Sequence, residues 1–160
     1  PQETALYDAL SLEENLKLFG KLYGLNNKSI KEQITRCITI ADLEDVRRQP
    51  IHQYSMGMRR RANLAISLIQ SPNMLFLDEP TVNIDPHSRE LIFKTLKRIN
   101  QEGVTLLYTT HYLDEVEPLC NQVAIMKSGQ IVAQASPKAL IQATPDTTNI
   151  QDVFNFYVGN

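Results

Sequence analysis

The chain has 160 residues, of which 42% are hydrophobic, so it is long and apolar enough to bury a core of one-domain size. Its 16 basic against 18 acidic residues leave a net charge of −2, which offers no bulk attraction to nucleic acid. No apolar stretch approaches the roughly 20 residues of a membrane-spanning helix.

Two further features of the sequence set expectations for the whole chain. Cys37 and Cys120 follow neither a redox spacing nor a metal-ligand spacing, which predicts reduced thiols in a cytosolic protein. The sequence starts at Pro1-Gln2, without an initiator methionine or residues for a first strand. We therefore expect it to be part of a longer protein.

Residues 1–70 are predicted to be helical. Over residues 11–24 apolar side chains recur close to the 3.6-residue period, and Ser11 with Glu14 has the pattern of a capping box. Asn26-Asn27 is expected to end this helix, and Ser29 to open a second amphipathic helix. This part of the chain is therefore predicted to form a helical subdomain.

A third helix is predicted from residue 56 to residue 70, with Ser55 as its N-cap. Unpaired N–H groups and the positive end of the helix dipole suit its N-terminus to an anion, and Arg59, Arg60 and Arg61 follow there. The arginines have two interpretations: a solvated helix face with some ion pairing, or part of an anion site.

The stretch Met74–Pro80 places two carboxylates directly after a short apolar run. Such a run is typical of a strand buried on both faces, and Pro80 ends it because proline cannot donate to a sheet. Asp78 and Glu79 should then lie at the carboxyl end of the strand, where open α/β sheets bind ligands. One carboxylate suits a metal and the other a base, although a solvated loop is the alternative interpretation.

The next segment again places a polar residue just after a predicted strand. Asp85 is placed to cap a helix over residues 86–101 that has proline at its first position, and Gly103 can end it in the left-handed conformation. A second buried strand is predicted over residues 104–109, and His111 stands just beyond it. A histidine there is either a polar cap or a ligand.

The C-terminal part is predicted to contain a short acidic helix over residues 113–119 and a hairpin that turns at residues 127–130. Ser136-Pro137 opens a small helix, and a final amphipathic helix covers residues 150–157. The order strand, helix, strand, with polar groups at the strand ends, indicates an α/β fold with a nucleotide site on a parallel sheet.

Four motifs occur in register: Ser55-x-Gly57-Met58-Arg59-Arg60-Arg61, Leu77-Asp78-Glu79-Pro80-Thr81, Asp85-Pro86 and Thr109-Thr110-His111. In this order and spacing the chain resembles, over nearly its whole length, the ATP-binding subunit of an ABC transporter. The stretch Thr110–Glu117 and the arginine triplet are most similar to the bacterial exporter branch, which is associated with drugs, antibiotics, sodium or polysaccharides.

The resemblance implies a P-loop NTPase-like (RecA-like) α/β fold with an incomplete parallel sheet, a helical subdomain and a C-terminal hairpin and helix. Residues 1–70 would contain the end of the Q-loop and the helical subdomain with the signature motif. Residues 71–134 would contain the Walker B, D-loop and switch-histidine part of the RecA-like core. Residues 135–160 would form a C-terminal helical tail.

The family's roles can be carried over to the residues that match its motifs. Asp78 would hold Mg²⁺ through water, Glu79 would be the base that polarises the attacking water, and His111 would contact the γ-phosphate. Gln2 would be the Q-loop glutamine, which binds the cofactor and the metal. The other cofactor-binding residues would be Ser55 and Gly57, which contact ATP held by the opposite subunit, and Asp85, at the dimer interface.

The sequence departs from the family pattern in three places. Met56 replaces the first of two adjacent glycines in the signature, which puts a side chain where the backbone approaches phosphate. Asn83 replaces a small residue of the D-loop, a mild change because asparagine tolerates left-handed backbone. No G-x-x-x-x-G-K-[ST] P-loop occurs, and Gly20-Lys21 lies in a helix without the matching residues. We therefore expect this stretch to bind ATP poorly by itself.

The expected function of the intact protein is ATP binding and hydrolysis that powers transport across a membrane, with ATP and Mg²⁺ as cofactors. Expected partners are a head-to-tail ATPase dimer partner and a transmembrane permease, with no nucleic acid, at the cytoplasmic face of the membrane. The alternatives are a degenerate, non-hydrolysing regulatory or dimerisation module and a soluble, non-transport ABC ATPase acting on ribosomes or DNA. ATPase activity and copurification with a membrane protein distinguish the three.

Overall fold

The computed structural model describes residues 5–159, which fold as two compact units divided after Thr109. Each unit has its own hydrophobic core. Within the described residues, no helix combines the length and the apolar character that crossing a membrane requires.

Three helices form the N-terminal part of the first unit: α1 (Leu12–Leu22), α2 (Asn27–Ala41) and α3 (Met56–Ser67). The predicted capping box is present, because Ser11 accepts from the backbone N–H of Glu14 and the Glu14 carboxylate accepts from that of Ser11. Two predicted boundaries are wrong. Asn26, not Ser29, is the N-cap of α2, since its side chain accepts from the Ser29 N–H at 2.9 Å, and α3 ends before the predicted residue 70.

The parallel sheet of the first unit consists of β1 (Met74–Asp78) and β2 (Thr105–Thr109), with α4 (Pro86–Gln101) between them in sequence. The prediction that the strands are buried on both faces is wrong for the described residues. Leu75 and Leu77 are buried, whereas Met74 and Phe76 on the other face are exposed, Phe76 by 69%. An apolar run indicates that a strand is hydrophobic, but it does not indicate which face of the strand the neighbouring elements cover.

The core of the first unit lies between the three N-terminal helices, α4 and the covered face of the sheet. Two 3-10 turns, Glu44–Val46 and Ile51–Gln53, connect α2 to α3. Fully buried side chains include Leu12, Leu16, Ile38, Ile51, Leu68, Ile69, Ile92 and Ile99. They fix α3 and α4 against the covered face of β1, and so determine where the ends of these elements lie.

The second unit contains a 3-10 turn (Leu113–Glu115), α5 (Val116–Leu119), β3 (Val123–Lys127), β4 (Gln130–Ala135), α6 (Pro137–Ala143) and α7 (Ile150–Val158). The two strands form the predicted antiparallel hairpin. Ser128 and Gly129 both have positive φ, 51° and 78°, as a two-residue hairpin turn requires. Ile125, Leu140 and Val153 lie in its small core.

Candidate functional site

Asp78 ends β1, and its side chain is fixed by the neighbouring strand. The parallel register places Asp78 beside Thr109, and the Thr109 hydroxyl donates to Asp78 Oδ1 at 2.6 Å. Asp78 is exposed at this edge of the sheet, so solvent and ligands have access to its carboxylate. The position is the one predicted for a metal-binding acid at a strand end.

Glu79 turns the chain away from β1. Its φ of 44° lies in the left-handed region, which is uncommon for a residue other than glycine and costs conformational energy. The Glu79 N–H donates to the Thr109 carbonyl at 3.1 Å and lies 3.3 Å from the Thr109 hydroxyl. One residue of β2 therefore fixes the backbone of Glu79 and the side chain of Asp78.

Hydrogen bonds of Ser55 and Tyr54 hold the N-terminus of α3. Ser55 is the N-cap, and its hydroxyl accepts from the Met58 N–H at 3.2 Å, as the sequence predicts. Tyr54 before it is buried, its hydroxyl donates to a backbone carbonyl at 2.8 Å, and burial raises the pKa of Tyr54 to about 12. Met56 is exposed in the first turn, while Gly57 is buried.

The three arginines of α3 do not share one environment. Arg59 pairs with Asp8 at 2.9 Å near the surface. Arg61 is only 7% exposed, and its Nη1 donates to the carbonyls of Ala41 and Asp42 at 2.9 and 2.8 Å. Burial lowers the pKa of the Arg61 guanidinium, and the Asp42 carboxylate opposes that shift. The interpretation of the run as a solvated face is therefore wrong for Arg61, which closes the C-terminal end of α2.

The segment after β1 leads into α4 through a left-handed residue and a helix cap. Asn83 has a φ of 59°, the conformation that asparagine tolerates. Asp85 is the N-cap of α4, and its Oδ1 accepts from the Ser88 N–H at 2.9 Å. Hydrogen bonds from Ser88, first from its side chain and then from its backbone, hold the pKa of the exposed Asp85 below its usual value.

His111 belongs to the second unit, two residues after the end of β2 in sequence. It is exposed, and its ring centroid lies 4.3 Å from that of Tyr112. Thr110 orders this turn, because its hydroxyl donates to the buried Glu115 carboxylate at 2.8 Å and accepts from the Tyr112 N–H at 2.9 Å. The backbone that carries the histidine is thus tied to the following 3-10 turn.

The residues at the end of β1 fit a magnesium site that is completed by phosphate. Mg²⁺ prefers oxygen ligands, keeps several waters, and binds one or two carboxylates together with substrate phosphates. The accessible Asp78 carboxylate suits such a site, in which it would hold Mg²⁺ through water. In the part of the chain that the structure describes, no group of three His, Cys, Asp or Glu side chains is arranged to hold a metal. Gln2, the second residue predicted for the metal, lies outside the described residues.

Within the first unit, predicted site residues meet in two groups, each joined by a residue to which the sequence analysis assigns no role. Thr109 joins the two acidic residues after β1, and Ser88 contacts both Asp85 and Gly57. The register of two parallel strands could have identified Thr109, because it stands opposite Asp78. Ser88 of α4 lies close to Gly57 of α3, and the sequence of neither helix predicts this contact.

Strand-end carboxylates on a parallel sheet and capped helix N-termini are features of nucleotide-hydrolysing α/β proteins. Residues 8–115 match the family described as "AAA domain, putative AbiEii toxin, Type IV TA system". The chain belongs to this AAA domain family.

Curated relatives of the chain are named as ATP-binding proteins. The chain is 39% identical over 151 residues to the linearmycin resistance ATP-binding protein LnrL of Bacillus subtilis (strain 168), a match that covers 94% of this chain and 49% of the relative. It is 38% identical over 160 residues to the Nod factor export ATP-binding protein I of Sinorhizobium fredii, covering 100% of this chain and 46% of that protein. The chain spans about half the length of the curated relatives it matches.

Solved structures agree with these relatives. With a TM-score of 0.79 and 28% identity, the chain is similar to cbiO1 from Clostridium perfringens, described as part of the ABC transporter complex cbiONQ, over 87% of this chain and 55% of that one. A second structure, of an ATP-binding subunit of an ABC transporter, has a TM-score of 0.79 at 22% identity and supports the fold alone. The predicted α/β, P-loop NTPase-like fold and the similarity to ABC ATP-binding proteins are confirmed.

Proposed function

We propose that this chain is part of an ABC-type ATPase, and that the intact protein binds and hydrolyses ATP to drive export across a membrane. The observation that carries the proposal is the acidic pair at the end of β1, where Thr109 fixes Asp78 and Glu79 next to each other at an accessible sheet edge. The names of the relatives, which refer to ATP binding, export and resistance, support the same function.

The two carboxylates have different tasks in this proposal. Asp78 is the metal-binding acid, and a bound Mg²⁺ would neutralise developing charge on the phosphates. Glu79 is the base that accepts a hydrogen bond from the attacking water and orients it. Thr109 holds Glu79 by its backbone N–H and Asp78 by its carboxylate, so different contacts fix the two residues. Adjacent residues can therefore address the metal and the water separately.

The remaining site residues follow from the same proposal. Ser55 and Gly57 at the start of α3 contact ATP held by a second ATPase copy, and Asp85 lies at the interface of that head-to-tail dimer. His111 contacts the γ-phosphate, and Gln2 contributes to the metal and nucleotide site. The first two helices of the chain meet a transmembrane permease, which would hold the protein at the cytoplasmic face of the membrane.

The test is Glu79→Gln in a full-length ATPase that contains this chain. We expect ATP turnover to be abolished while ATP binding persists, because the amide keeps the shape of the side chain but is a poor base. Glu90→Gln is the matched control, since Glu90 is an exposed residue of α4 that pairs with Lys94 at 3.1 Å, and it should leave turnover unchanged. Normal turnover in Glu79→Gln would contradict the proposal. Copurification with a membrane protein tests the permease partner.

A further inference from the structure

The approach of α3 to α4 depends on the absence of a side chain at Gly57. A Cβ built there would lie 2.5 Å from both Cβ and Oγ of Ser88, and 3.6 Å from its Cα. No real Cβ contact is as short as 2.5 Å, so a side chain at Gly57 would force the two helix starts apart. Gly57 is buried in the first turn of a regular helix, so space rather than an unusual backbone conformation requires glycine here.

Ser88 has a second contact on its other side. It is the third residue of α4, and its backbone N–H donates to Asp85 Oδ1 at 2.9 Å. Its side chain also hydrogen-bonds to the Asp85 carboxylate. Ser88 therefore contacts Gly57 through its Cβ and Oγ. It contacts Asp85 through its hydroxyl and its N–H, so a displacement of Gly57 would also displace Asp85.

We propose that Ser88 is a positioning residue that couples the first turn of α3 to the cap of α4, so that Gly57 and Asp85 move as one body. The inference rests on the proposed function, in which Gly57 contacts ATP of a second copy and Asp85 lies at the dimer interface. In addition to the proposed contact with ATP, Gly57 would allow α3 to pack closely against Ser88 of α4. One displacement would then misplace both contacts to the second copy.

The test is a rescue experiment in a full-length ATPase that contains this chain. We expect Gly57→Ala to lower kcat by about 100-fold, the cost of displacing a catalytic arrangement by about an ångström, with a smaller effect on KM. Adding Ser88→Gly removes both atoms that the new methyl group meets, so the double variant should recover the kcat of Ser88→Gly alone. Adding Ser88→Ala leaves Cβ in place, and this double variant should stay impaired.

A direct readout at Asp85 separates coupling from general loss of stability. Because Gly57→Ala displaces the Ser88 hydroxyl, the pKa of Asp85 in an NMR titration should rise towards 3.8, its ordinary value. Gly20→Ala is the control, since Gly20 is another buried helical glycine whose added Cβ would lie 3.0 Å from Ile30. It should lower stability and leave the pKa of Asp85 unchanged.

Three results would overturn the coupling: wild-type kcat in Gly57→Ala, no recovery on adding Ser88→Gly, or equal recovery on adding Ser88→Ala. If Gly57→Ala does not fold, the same pattern of rescue should appear in the melting temperatures of the double variants. The rate of hydrogen exchange at the Met58 amide, in the first turn of α3, should also be higher in Ser88→Gly than in wild type. The melting temperatures and the hydrogen exchange can be measured without ATP. If the full-length protein has no ATPase activity, the proposed function is refuted, and these two measurements still test the coupling.

Discussion

Two neighbouring arginines of α3 should differ sharply in their contribution to stability. Arg61 donates two hydrogen bonds from a buried guanidinium to carbonyls at the end of α2, whereas Arg59 forms a partly solvated ion pair with Asp8. Replacement of either residue by methionine keeps an unbranched chain and removes the charge. The comparison therefore isolates the effect of the polar contacts within one helix.

The structure sets the size of the expected difference. Hydrogen bonds from a charged group contribute about 1.5–3 kcal/mol each, and Arg61→Met removes two and leaves two carbonyls without this donor. Part of this is offset by the cost of burying the guanidinium, whose Nε has no hydrogen-bond partner among the described residues. We expect a net loss of about 2–4 kcal/mol for Arg61→Met, against about 0–1 kcal/mol for Arg59→Met.

Equilibrium urea denaturation of both variants and the wild type measures these free energies of unfolding. The slope with urea should stay unchanged, which shows that the variants unfold to a similar state. Hydrogen exchange of the Asp42 and Leu43 amides, which donate to carbonyls in the last turn of α2, should speed up in Arg61→Met alone. A loss in Arg61→Met no larger than that in Arg59→Met would refute the inference that Arg61 closes α2.

Three further predictions concern single groups. Asn15→Asp should destabilise the protein by more than about 3 kcal/mol in urea denaturation, because the Asn15 amide donates to three backbone carbonyls inside the fold; a loss below 1 kcal/mol would refute this. Burial raises the pKa of Cys37 to about 12, so iodoacetamide at pH 8 should label it only after denaturation; labelling of the native protein would contradict the burial. Ser88→Ala should raise the pKa of Asp85 in an NMR titration. Since a lowered folded-state pKa stabilises above the unfolded value and is lost as pH falls through the folded one, acid unfolding of the variant should begin at higher pH than in wild type; equal onsets would argue against this linkage.

Features that depend on a few neighbouring residues were predictable from the sequence. The caps at Ser11, Ser55 and Asp85 are all present, because a short polar side chain and the N–H groups of the following turn are enough to form them. The fold class also followed from local order, since two short strands around a helix indicate a parallel sheet. The start of α2 was missed because Asn26 and Ser29 are both competent caps.

Features that depend on contacts between distant segments were not predictable. The sequence of α3 gives Arg59 and Arg61 the same character, and only the position of α2 buries one of them. The exposure of Phe76 depends on which face of the sheet the helices cover. The candidate site follows the same division. Asp78 was predicted from its place at the end of β1, whereas the role of Thr109 is evident only when the two strands are paired.

The backbone of Glu79 affects which substitutions can give interpretable kinetics at this position. Its left-handed φ of 44° is poorly tolerated by β-branched residues, so valine or threonine would add backbone strain to the loss of the carboxylate. Glycine would relax the backbone and loosen its two contacts with Thr109. Glutamine and asparagine avoid both effects, and a comparison between them varies the reach of the side chain by one methylene. Substitutions at Glu79 therefore report on the loss of the carboxylate alone only when the new residue tolerates the left-handed backbone.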